Sequence, residues 1–222
     1  MIDKPESAND APTPDQAPAR GRPALSQDVK TKRKDEIADV ALRLFLEEGF
    51  ASVSMRRLGK EVKLSPMALY RYFPSKLDIL ARLWAFILTQ AFDRVAKARQ
   101  DQTNHRDALH LAAQAYVTYW LENTDHYHLV FVTSGVTKET VQSFVGNPET
   151  IAQYDVFFEL VASVLGLDRA NPTVKTATDG LICALHGIMH SLITMPGYPW
   201  TRSEQLVSDA VSSIRERSSV AR

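Results

Sequence analysis

Two serines, Ser54 and Ser65, constrain this chain more than any other feature. Each is placed to accept one of the orphaned backbone N–H groups at the start of a helix, and Pro66 follows Ser65 at the first helical position, where no N–H is needed. From Ser54, Leu58 and Val62 fall on one helical face; from Ser65, Leu69 and Phe73 lie four apart and pack inward. The turn between falls at Lys63 and Leu64. Two short helices therefore meet at a tight turn, and the second leaves Pro66, Met67, Tyr70 and Arg71 facing out. A short cationic and aromatic face of this kind suits a DNA major groove.

The segment A-L-Y-R-Y-F-P-S-K, Ala68 to Lys76, together with this helix pair and an amphipathic helix before it, resembles the DNA-binding signature of the TetR family of bacterial transcriptional repressors. The resemblance spans roughly residues 30 to 80. It implies an all-α protein: an N-terminal three-helix helix-turn-helix domain, then a helical ligand-sensing and dimerisation domain. Helix geometry and the resemblance together give Tyr70 and Lys76 to phosphates, and Pro66, Met67 and Arg71 to base edges. Ser54, Arg56, Ser65 and Tyr72 complete the candidate DNA-contacting set. The turn position usually held by glycine in this family is Lys63 here, and a positive φ there costs a lysine on the order of 1 kcal/mol.

Charge is segregated in the same direction. The chain has a formal net charge of zero, yet residues 20–76 carry 13 Lys and Arg against 7 Asp and Glu, and the flanking segments are net acidic. A basic region centred on the reading helices fits a polyanionic partner. Residues 1–19 are rich in Pro, Ala, Asp and Asn and are expected to be a disordered tail. Ala19 to Pro23, A-R-G-R-P, then places Arg20 and Arg22 around a glycine, either as an arm for the minor groove or as a solvated linker.

Helical periodicity continues to the C-terminus. A first helix is expected over 29–48, with Ile37, Val40, Ala41, Leu44 and Phe45 as its apolar stripe and Gly49 as its stop. Ser75 with Asp78 three residues on opens a long helix over 77–100, a capping arrangement that aims Lys76 outward at the first turn. Further helices are expected over 107–121, 123–132, 149–165, 172–195 and 202–217, with 134–148 a loop-rich passage. The division that follows is a tail at 1–19, a DNA-binding domain with its basic arm at 20–76, and a helical ligand-binding and dimerisation domain at 77–222.

The C-terminal half is similar to TetR-family sensor domains. Leu121 to Phe131 and Ala184 to Gly187, A-L-H-G, resemble the subgroup named for Trp, His and Gly positions, although Ile182 stands where its tryptophan is expected. The family implies a homodimer paired through its last two helices, with a small-molecule cavity in each subunit. Trp84, Leu88, Tyr116, Trp120, Phe131, Tyr154, Phe158, His186 and His190 are the candidate ligand-binding residues, because polar groups among apolar helices orient an apolar or aromatic guest. The alternative is a regulator with no inducer, whose C-terminal half only dimerises or binds a protein.

No metal or cofactor is expected. His186 and His190 share a helical face, but no third ligand lies at ligand spacing. No Ser-His-Asp constellation, phosphate-binding loop or H-E-x-x-H supports an enzyme. The one cysteine, Cys183, sits in an apolar helical run and reads as a buried thiol. With no signal core and no spanning segment in the sequence, the expected partners are double-stranded DNA carrying a pseudo-palindromic operator, a small effector and a second copy of the chain, in the cytoplasm.

Overall fold

The computed structural model describes residues 27–220, so the N-terminal tail and the arm arginines Arg20 and Arg22 lie outside the described residues. The described part is helical, with no strand. Helix α1 (Gln27–Glu48) buries Ile37, Ala41, Leu44 and Phe45 on its inner stripe, while Val40 is only half-buried. Gly49 ends it at φ +82°, a conformation that costs a residue without Cβ nothing, and Phe50 turns back to meet the Phe45 ring edge-on at 5.1 Å.

Helices α2 (Met55–Glu61) and α3 (Pro66–Tyr70) begin as their sequence dictates: the Ser54 hydroxyl accepts Arg57 N–H at 3.1 Å, and the Ser65 hydroxyl accepts Ala68 N–H at 3.2 Å. Lys63 does take a positive φ, 55°, between them. It is the left-handed residue of a Schellman turn, in which Leu64 N–H reaches Gly59 C=O at 2.8 Å and Lys63 N–H reaches Lys60 C=O at 3.4 Å. The glycine this geometry requires stands four residues earlier. A Cβ on Gly59 would lie 2.8 Å from the Leu64 carbonyl oxygen, so the turn closes onto a bare Cα.

Helix α4 (Lys76–Arg99) starts at Ser75, whose hydroxyl accepts Asp78 N–H and donates to the Asp78 carboxylate at 2.6 Å. It carries the longest core stripe, from Ile79 to Val95, packing first on α1 and then along α5 (His105–Glu122). After α6 (Thr124–Tyr127), a π-helical turn spans His128–Val132. The next segment departs from the expected loop: residues 138–145 form helix α7 (Lys138–Val145), opened by Thr137 accepting Thr140 N–H and closed by Gly146. The helix expected over 149–165 is two, α8 (Pro148–Gln153) and α9 (Asp155–Leu165), with Tyr154 as the hinge between them. Helices α10 (Pro172–Thr194) and α11 (Ser203–Val220) pack on each other and on α5 and α9. Cys183, expected to be buried, is exposed on the outer face of α10.

One continuous core runs from α1 through α4 to α11, with no break at residue 76. Movement of α4 is therefore felt on both sides of that position.

Candidate DNA-reading face and ligand cavity

Helix α3 turns Leu69 fully inward and leaves Met67 77% and Tyr70 48% exposed, with Pro66 and Arg71 exposed beside them. Tyr72, by contrast, is half-buried against the core. Between α2 and α3 runs a shallow groove bounded by Ser54, Arg56, Arg57, Lys60, Leu64 and Pro66. Lys60 and Arg57 were not among the sequence candidates. The i, i+3 and i, i+4 spacing of Arg56, Arg57 and Lys60 along α2 carried that signal.

The face is braced from behind. Arg57 bonds Glu48 at 2.7 Å and Glu61 at 2.8 Å, while Arg43 bonds Glu61 at 2.7 Å and Glu47 at 3.2 Å. Hydrogen bonds from Arg57 and Arg43 hold the Glu61 carboxyl below the usual carboxylate range. Arg33 adds a bond to the Val62 carbonyl at 3.1 Å, joining α1 to the end of α2. Arg56 makes none of these bonds and is exposed.

Lys76 corrects the sequence expectation. Its ammonium turns back instead of outward, donating to the Phe50 carbonyl at 2.5 Å and lying 4.2 Å from the centre of the Phe50 ring. The Ala51 carbonyl is 3.4 Å away, and burial lowers the lysine pKa. Two carbonyls left without helical partners after α1, and an aromatic face beside them, hold the ammonium.

A cavity of about 340 Å³ lies between α4, the π-helical turn, α7 and α8, walled by Trp84, Leu88, Val130, Phe131, Thr133, Val136, Val141, Phe144, Val145, Thr150, Tyr154 and His186. The Trp84 indole is fixed by donating to the Leu129 carbonyl at 2.8 Å and lies tilted against the Phe144 ring, centroid to centroid 5.0 Å. That carbonyl also accepts the Thr133 hydroxyl at 2.5 Å, so the π-helical turn supplies an acceptor to two side chains at once.

Five sequence candidates line this cavity: Trp84, Leu88, Phe131, Tyr154 and His186. Tyr116 stands one layer behind, fully buried, its hydroxyl 3.1 Å from the Tyr154 hydroxyl and 3.2 Å from His186 Nε2. Burial raises the Tyr116 pKa well above its ordinary value and lowers that of His186 to about 4, so both are neutral near pH 7. Trp120, Phe158 and His190 are not wall residues. Trp120 is fully buried behind Phe131, its ring centre 5.0 Å away; Phe158 faces the Arg169 guanidinium; and His190 bonds the Tyr127 hydroxyl at 3.0 Å. His186 and His190 thus engage different tyrosines. Of the seven wall residues that sequence reasoning missed, three come from α7, whose Val141, Phe144 and Val145 form one apolar edge, and the others are Val130, Thr133, Val136 and Thr150.

The cavity also adjoins the reading domain. Gly135, at φ +82° in the loop between Thr133 and Val136, approaches so closely that a Cβ on it would lie 3.4 Å from the Ala51 Cβ. Ala51 belongs to the same loop whose carbonyls hold Lys76.

Residues 37–83 match the family described as bacterial regulatory proteins, tetR family. Among characterised proteins, the transcriptional activator FasR of Mycolicibacterium smegmatis is 24% identical over 151 residues, 68% of each chain. The nucleoid occlusion factor SlmA of Aliivibrio fischeri is 41% identical over 75 residues, 33% of this chain and 38% of that protein. The chain thus spans about two thirds of the first relative and much less of the second. Among solved structures, the regulatory protein SCO4313 superposes with a TM-score of 0.67 at 18% identity, covering 86% of this chain and 98% of that one. AibR in complex with isovaleryl coenzyme A and operator DNA superposes with a TM-score of 0.55 at 18% identity, covering 82% and 97%. At these identities the structural likeness speaks for the fold.

Proposed function

We propose that the chain, whose residues 37–83 match the bacterial regulatory proteins of the tetR family, is a dimeric, cytoplasmic, sequence-specific repressor released from its operator by a small molecule bound between α4 and α7. The observation that carries this reading is the position of α4. Its first turn follows α3 after a few residues, and Trp84 and Leu88, two turns further on, form a wall of the cavity. A guest that shifts α4 therefore shifts the reader. The Gly135–Ala51 approach gives a second route, from the loop beside Thr133 and Val136 to the anchor of Lys76.

In this mechanism α3 enters the major groove, with Pro66, Met67 and Arg71 toward base edges and Tyr70 toward a phosphate. Ser54, Ser65, Arg56 and Lys60 border the adjoining backbone, each serine hydroxyl retaining a proton to donate after its lone pair has capped a helix. Lys76 sets the angle between α1 and α4. In the dimer, α10 and α11 pair with their symmetry mates, and two readers about 34–36 Å apart, or farther on overlapping sites, address a pseudo-palindrome. A differential ligand affinity of about 1–3 kcal/mol between the DNA-bound and free arrangements suffices for a useful switch. AibR, solved with both an acyl thioester and operator DNA, supports a fold of this kind accommodating both partners.

The test is to select duplexes from a random pool with the full chain, then titrate the selected complex, followed by fluorescence anisotropy, with small hydrophobic compounds. Release that weakens in Trp84→Ala supports the reading. Tight sequence-specific binding that no compound reverses would leave a regulator whose C-terminal half serves only dimerisation or a protein partner.

A further inference from the structure

The cavity between α4 and α7 contains no formal charge, and two of its polar wall groups, Tyr154 and His186, share one corner through Tyr116. No lysine, arginine, aspartate or glutamate is among its wall residues. Val141 and Val145 remain exposed at its edge, so the approach to it is apolar too. The neighbouring groove shares Trp84 and Phe144 with the cavity and carries Asp78 and Glu139, again without a cation. In the corner, Tyr154 and His186 both reach the Tyr116 hydroxyl, at 3.1 and 3.2 Å.

That three-membered chain is reversible. If His186 Nε2 accepts, Tyr116 donates to it, Tyr154 donates to Tyr116, and the Tyr154 oxygen keeps its lone pairs for a guest. If His186 Nε2–H donates, Tyr116 donates on to Tyr154, and the Tyr154 O–H is free to donate to a guest. The corner thus serves a hydroxyl or a carbonyl equally, and a neutral histidine with two tyrosines offers nothing to balance a buried ion.

Building on the ligand-released reading above, we propose that this site selects an uncharged amphiphile, an aromatic or branched aliphatic body bearing one hydroxyl or carbonyl oxygen seated against Tyr154 and His186. Carboxylates and the polyphosphate of a coenzyme A thioester find no cation in the wall and meet acidic groups in the adjoining groove. An organic ammonium could approach the faces of Trp84, Phe131 and Phe144 but would lie in an enclosure without a carboxylate, where attraction to the rings does not replace lost hydration.

The experiment is calorimetric titration of the full chain at pH 7 with four compounds of one shape: 4-butylphenol, 4-butylbenzoate, 4-butylbenzylammonium and butylbenzene. The phenol is expected to bind at least about tenfold more tightly than either ion, and more tightly than the bare hydrocarbon, whose binding leaves the corner unpaired. Tyr154→Phe is expected to shrink the phenol-to-butylbenzene ratio and leave both ions excluded. Equal or tighter binding of the benzoate or the ammonium would overturn the uncharged class while leaving a ligand-responsive cavity in place. An unchanged phenol-to-butylbenzene ratio in Tyr154→Phe would overturn the polar corner. No binding by any of the four at millimolar concentration would overturn this inference and the ligand-released reading together.

Discussion

The Lys76 ammonium lies 2.5 Å from the Phe50 carbonyl oxygen and 4.2 Å from the centre of the same residue's ring, which ties the first residue of α4 to the end of α1. A charged donor on a backbone carbonyl contributes on the order of 1–2 kcal/mol. Lys76→Met, which keeps the stem and removes the ammonium, is therefore expected to lower the thermal midpoint. The slope of log affinity against log salt for operator DNA is expected to stay near the parent value, whereas Arg56→Ala, at the adjoining backbone, should reduce its magnitude by about one and Arg71→Ala should change sequence preference. A Lys76→Met slope reduced as much as that of Arg56→Ala would return Lys76 to the phosphates.

Lys63 holds φ at 55° in the Schellman turn between α2 and α3. Relieving that strain with Lys63→Gly should raise stability by roughly 0.5–1 kcal/mol, the gain being trimmed by glycine's larger unfolded-state entropy. Gly59 is the opposite case. Gly59→Ala puts a Cβ against the Leu64 carbonyl, 2.8 Å away, and is expected to destabilise the domain even though alanine is the better helix former. Denaturant titration of the two variants should show midpoints moving in opposite directions.

These turns mark what could be read from sequence and what could not. Caps and stops at Ser54, Ser65, Ser75 and Gly49 are local chemistry, and each element they bound lies within a residue or two of its expected place, while Gly166 fixed only the end of α9. The direction of the Lys76 side chain was not legible: its position at a helix start was, but the loop carbonyls that capture it come from Phe50 and Ala51, some 25 residues away. Helix α7 was hidden because Gly135 and Pro148 read as loop signals over a segment of only eight helical residues, yet Val141, Phe144 and Val145 behind the Thr137 cap had the right period. For the cavity, Trp84, Leu88, Phe131, Tyr154 and His186 could be chosen by type. Which aromatic faces the cavity and which lies one layer back depends on packing among five helices: that is why Trp120 and Phe158 were drawn in wrongly.

His186 gives a pH dependence of defined sign. Burial beside Tyr116 and Phe131 lowers its pKa to about 4, against about 6.5 when unfolded, so between those values the unfolded chain binds the proton and the folded chain does not. Its contribution to stability is complete above about pH 6.5 and is lost as pH falls toward 4. His126, also lowered by burial, acts in the same direction. The loss assigned to His186 is on the order of 2 kcal/mol. Chemical denaturation of the parent and His186→Phe at pH 7.5 and pH 5 should show the smaller pH effect in the variant; equal pH effects in the two would mean that His186 is protonated in the folded protein.

Gly187 lies on the exposed face of α10, in line with Cys183 and His190, and a Cβ there would meet nothing within 4 Å. For the isolated chain, a larger residue at this point is free of clashes and improves helix propensity, by as much as about 1 kcal/mol for alanine. If α10 and α11 pair with a second copy as proposed, the bare Cα instead marks where the partner helix comes closest, and a bulky side chain must push the helices apart. Gly187→Leu is therefore expected to leave helix content unchanged while weakening the dimer by tenfold or more in sedimentation equilibrium, on the ordinary cost of overpacking a filled contact of about 1–3 kcal/mol. Operator affinity should fall with it, because two half-sites are then no longer held in register. Cys183, one turn away, gives an independent reading: its reaction with a thiol reagent should be slow in the parent dimer and fast in Gly187→Leu. A variant that remains fully dimeric, with Cys183 reacting at the same rate in both proteins, would place the two-fold interface on another face.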